Sequence, residues 1–320
     1  MTESATSETT TTPTYTKDEN LWFDDGSIIL ISAEPNRRGF CVYRGLLARR
    51  ADFFKDLSEN ASPDCSSVGA AQELELDDTA DHIEHFLNYI FDPRYFTPMA
   101  QKTPLPVLYA LLRMATKYLH QELRTAVVMH LHTIYPSTAT PPAPKSFVDN
   151  RPNQAPGDSI DPLLYALRMG RECDVPRILP AAFYLAIQGD IMDCVRLAEK
   201  FSSDDASRLL RGREKFIAAA TRAAMHESLP SPIPVTSYTS FGSSHMCRKY
   251  AEATDTRWAS DLDVKEIFLG ALYGKKRKAS ATLCTACIQK WEEDESAAFA
   301  QLWVSLPGIF ELAGWESYTT

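Results

Sequence analysis

Residues 20–59 read NLWFDDGSIILISAEPNRRGFCVYRGLLARRADFFKDLSE, and the reading of this stretch decides the fold. Ile28, Ile29, Leu30 and Ile31 form a short, largely β-branched run behind the turn residues Asp24, Asp25 and Gly26. Pro35 and Asn36 interrupt it. Phe40 and Val42 then alternate with Cys41 and Tyr43, the period of a half-buried strand. Past Gly45, Leu46, Leu47, Phe53, Phe54 and Leu57 fall on one face of a helix over about 46–57. The stretch therefore predicts strand, turn, strand and helix in quick succession.

Outward from it, the N-terminal residues 1–19 are rich in Ser and Thr and lack a basic-then-apolar leader pattern, so they are expected to be a disordered tail. Residues 61–72 read as a loop. Glu73 to Asp77 alternate as a short strand, and Asp78 is the expected cap of a helix carrying Ile83, Phe86, Leu87, Ile90 and Phe91. Two further helices follow. Leu108, Leu111, Leu112, Ala115 and Leu119 line the first, and Leu123, Val127, Leu131 and Ile134 the second.

The segment Phe40-Cys41-Val42-Tyr43-Arg44, with Leu47-Ala48 and Phe53-Phe54 behind it, resembles the opening of a BTB/POZ domain. That family's strand ends F-x-V-H-(R/K) and continues x-x-L-A-x-x-S-x-x-F. The chain departs at Tyr43, where the family usually has His. A later segment, ALLRMATKYLHQELRTAV, resembles the family's A-x-K-Y-x-x-x-x-L stretch, with Ala115, Lys117, Tyr118 and Leu123 in register. The resemblance covers residues 20–136 and implies an α+β fold, a small sheet with helices. It also implies a homodimer, an isologous interface with an apolar centre. Its candidates are Leu21, Trp22, Phe23, Leu47, Phe53 and Phe54. By the same resemblance Asp25 and Arg44 line a charged pocket at that interface; the residues alone allow an ordinary surface ion pair equally well.

Residues 137–158 are Pro-rich and polar and read as a linker. Residues 159–320 read as mostly α-helical, in segments too short to stand alone in water. No ankyrin, Kelch or WD period is present.

The chain has 320 residues, 33 basic against 42 acidic, for a net charge of −9. That balance opposes general binding to nucleic acid, which works by neutralising phosphates. Lys275-Lys276-Arg277-Lys278 is a local exception, a nuclear-import or nucleic-acid patch or a solvated loop. No apolar run reaches the length a membrane span needs. Seven scattered cysteines do not look like a disulfide framework, so cytoplasm or nucleus is the expected compartment. None of the common nucleophile, zinc-protease or phosphate-binding motifs occurs, and no enzyme is expected.

The sharpest local signal is Cys284-Thr285-Ala286-Cys287, with His245-Met246-Cys247 upstream. Two thiolates one helical turn apart suit a structural zinc site, with His245 and Cys247 completing a tetrahedron. Reduced cysteines packed as small apolar groups are the alternative, and a thiol redox role is a third. The function these features point to is protein–protein interaction: dimerisation and partner recruitment, as in a cullin ubiquitin-ligase adaptor. The alternative is a transcription-associated regulator braced by zinc. The Cys/His reading predicts one zinc ion per chain in elemental analysis of the purified protein; a metal-free, fully folded preparation would end it.

Overall fold

The computed structural model describes residues 15–59, 71–99, 103–141, 161–188, 190–228 and 285–318. The fold is α+β. The chain divides into two compact units, Met1–Val127 and Val128–Thr320, and the division falls inside a helix.

The first unit is built on a four-stranded sheet. Its strands are β1 (Thr16–Trp22), β2 (Ile28–Ile31), β3 (Arg38–Val42) and β4 (Gln72–Glu75), in the spatial order β1-β3-β2-β4. The two strands expected from residues 20–59 pair antiparallel, Ile28 opposite Val42 and Leu30 opposite Phe40. β4 runs parallel to β2 on the far side, and β1 runs parallel to β3.

Period-2 geometry sends Ile28, Leu30, Phe40 and Val42 to one face. The alternation over 40–43 predicts one open face for that strand, yet Cys41 is buried there together with Ile29 and Ile31, under Tyr15, Trp22 and Ala71. Gly39 explains how: a Cβ at this position would lie 2.3 Å from the Tyr15 ring, so only glycine admits the ring. Tyr15 reaches across the sheet to donate its hydroxyl to Glu73 at 2.9 Å.

The expected tail over 1–19 is therefore too long at its C-terminal end, since Thr16 to Glu19 belong to β1. The run TKDEN carries no apolar alternation. It is held by parallel pairing to β3 and by Asp18, which is buried and ion-paired to Arg38 at 3.2 Å. Asp18 Oδ1 also accepts the N–H groups of Asn20 and Leu21, where the pairing register shifts between Lys17 and Trp22.

The single helix expected over 46–57 is two: α1 (Arg44–Arg50) and α2 (Asp52–Glu59). Ala51 between them is extended, at φ −135 and ψ 123. The break turns α2 so that two neighbouring side chains reach one ring. Phe53 and Phe54 lie 5.1 and 5.0 Å from Tyr118.

Three helices complete the unit: α3 (Ala80–Phe91), α4 (Leu105–Lys117) and α5 (Gln121–Ile134), whose second half belongs to the other unit. Thr79, not Asp78, caps α3, accepting from the His82 N–H. Asp78 is freed for another task. Its side chain is fully buried and accepts from the Tyr118 hydroxyl at 2.6 Å and from Lys117 Nζ at 2.7 Å. Its backbone carbonyl accepts from Ala33 N–H. One residue thus binds the end of β2, the start of α3 and the end of α4.

The second unit contains α6 (Pro162–Glu172), α7 (Leu179–Ala186), α8 (Ile191–Ala198), α9 (Ser203–Ser228) and α10 (Thr285–Ile309). Its core is aromatic: Phe183 stacks on Phe310 at 5.3 Å, and Tyr184 meets both Phe216 and Trp303. Gly212 lets Phe310 lie against α9, where a Cβ would be 2.2 Å from the ring. Buried Asp205 collects Arg171, Arg208 and the Ser202 hydroxyl. Residues 142–158 of the expected linker lie outside the described residues. At its start, Thr138 is tied in, its carbonyl accepting from Trp303 Nε1 at 2.8 Å.

Tyr118→Phe keeps the ring stack and removes only the donor to Asp78. It is expected to lower unfolding free energy by about 1–3 kcal/mol, the cost of under-satisfying a buried carboxylate. An unchanged urea midpoint would show that Lys117 alone suffices.

Candidate interaction surface

The residues expected to build an interface separate into two groups. Leu21, Leu47 and Phe54 are 4%, 0% and 2% exposed, so they are core residues and have no surface to offer a partner. Helical periodicity marks an apolar face without saying whether the chain itself or another chain covers it. Here α2 and Tyr118 cover it. Trp22 and Phe23 are half-buried, and Phe53 is 38% exposed. These three keep apolar area at the surface.

Phe23 follows directly on β1 and stacks on Tyr43 at 5.0 Å, with Phe91 of α3 at 5.1 Å. Trp22 carries Lys17 Nζ over its ring at 4.3 Å. Phe53 stands on the first turn of α2, edge-on to both Phe54 and Tyr118. Its position follows from the Ala51 break.

Asp25 and Arg44 are near in space through β3 but hold different partners. Asp25 Oδ1 accepts from the Tyr43 hydroxyl at 2.7 Å, and this bond raises the Tyr43 phenol above its ordinary range. Arg44 Nε donates to Ser58 Oγ at 3.2 Å, while its backbone N–H donates to Ser27 Oγ. Tyr43, where the resemblance implies His, thus takes the carboxylate for itself.

A residue group that sequence reasoning missed lies at the other end of β3. Arg38 forms ion pairs with Asp18, Asp81 and Glu84, at 3.2, 3.1 and 2.7 Å. Nothing in the spacing of these four residues announces the cluster, because its members come from β1, β3 and α3. It locks the N-terminal strand to the helix layer.

Of the expected zinc ligands, His245, Cys247 and Cys284 lie outside the described residues. Cys287 falls in α10, with its side chain outside them too. The basic run 275–278 is likewise outside. Among the described residues no group of three or more His, Cys, Asp or Glu side chains is placed to hold a metal ion. His85 Nδ1 instead shares a 2.7 Å hydrogen bond with the Tyr95 hydroxyl. No described helix is long and apolar enough to cross a membrane. No protein-family model matches the chain, and no curated protein does.

Five histidines share one electrostatic property. Burial holds His82, His85, His120, His130 and His132 below the ordinary value of 6.5. The unfolded chain therefore binds more protons than the folded one as pH falls through 6.5. Their stabilising effect is complete above that value and is lost below it, toward the depressed folded values. The melting temperature is expected to drop between pH 7 and pH 5, before most carboxylates titrate. A melting temperature flat across that interval would contradict it.

Proposed function

We propose that this chain is a non-catalytic interaction protein whose first unit works as a BTB/POZ-type dimerisation module, with the helical second unit recruiting a partner. The observation that carries this reading is the fate of the residues behind the resemblance. Phe40, Val42, Leu47, Phe54, Ala115, Tyr118 and Leu123 come from five elements, yet every one is buried. Tyr118 stacks on Phe54, and the expected order of strand, strand, helix, strand and helix is present with β1 added ahead of it and the first helix divided in two. Tyr43, Arg44, Ala48 and Lys117 of the same motifs keep surface area and Phe53 is 38% exposed, so seven of the motif residues serve the core, and that shared role supports common architecture better than any one motif does.

The dimer reading draws on the surface left over. Trp22, Phe23 and Phe53 offer aromatic area of the kind that anchors protein interfaces. On this reading the recruited partner is a cullin, and the protein links a substrate to a ubiquitin ligase.

Light scattering on the full chain is the direct test. A dimer mass is expected for the native protein and a monomer mass for Phe53→Glu, with circular dichroism confirming that the variant still folds. A native monomer at every concentration up to about 100 μM, far above the Kd of a stable dimer, would remove the dimer reading. Co-purification with a cullin tests the recruiting half separately.

A further inference from the structure

We draw no further inference here: the strongest candidate, the outward apolar face at the start of α8, where Ile191 and Met192 are 48% and 56% exposed, is an unpartnered helix face, and nothing among the described residues shows what covers it.

Discussion

The buried carboxylate of Asp78 is the constraint on which the first unit depends. A charge taken out of water must be paired and hydrogen-bonded where it sits. Asp78 Oδ2 meets that demand with the Tyr118 hydroxyl and the Lys117 ammonium, both at the end of α4, and Arg113 Nε of the same helix stands 3.9 Å from Oδ1. Meeting it fixes Tyr118, whose ring then receives Phe53, Phe54 and Phe86. The position of α2, and hence the break at Ala51, follows from that ring. Lys117 is pulled in two directions: burial lowers its affinity for a proton, but the bonds to Asp77 and Asp78 prevail and raise it. Its charge is therefore secure across the physiological range.

A second constraint acts on the sheet's outer face. β2 is apolar on both sides, and a two-sided apolar strand needs two covers. The helix layer supplies one. The other comes from β1, through Tyr15 and Trp22, and it works only because Gly39 leaves room for a ring. Arg38, the residue before Gly39, ties the same strand to α3 through three carboxylates. Adjacent residues of β3 thus attach β1 by packing on one side and by charge on the other.

The sheet's centre was legible in the sequence because its signals are local. The Ile28–Ile31 run, the Phe40/Val42 alternation and the Glu73–Asp77 alternation each fit within a few residues, and each became a strand. β1 was not legible. Its residues Thr16 to Asn20 are polar, and its reason for being a strand lies at Arg38 and Gly39, some twenty positions away. Asp78 shows the same limit from the other side. It fitted the local rule for a helix cap, but a distant hydroxyl outcompeted that role and left Thr79 to cap. The interface candidates divide on this ground as well: periodicity found Leu47 and Phe53 together, and only the tertiary arrangement distinguishes the residue that faces inward from the one that faces water.

The same reasoning bears on what the surface is for. Residues satisfied within the chain carry little information about partners, since folding alone accounts for them. Arg38 and Asp205 are of this kind, each held by neighbours within its own unit. The residues that folding leaves under-satisfied are spread through the first unit: Arg37 Nε, Asp78 Oδ1, Thr103 Oγ1 and His120 Nε2 are each buried without a hydrogen-bond partner among the described residues. They come from the entry to β3, from the start of α3, from the entry to α4 and from the turn after it, so they mark the cost of drawing polar side chains from several elements into one small core and do not single out one place on its surface.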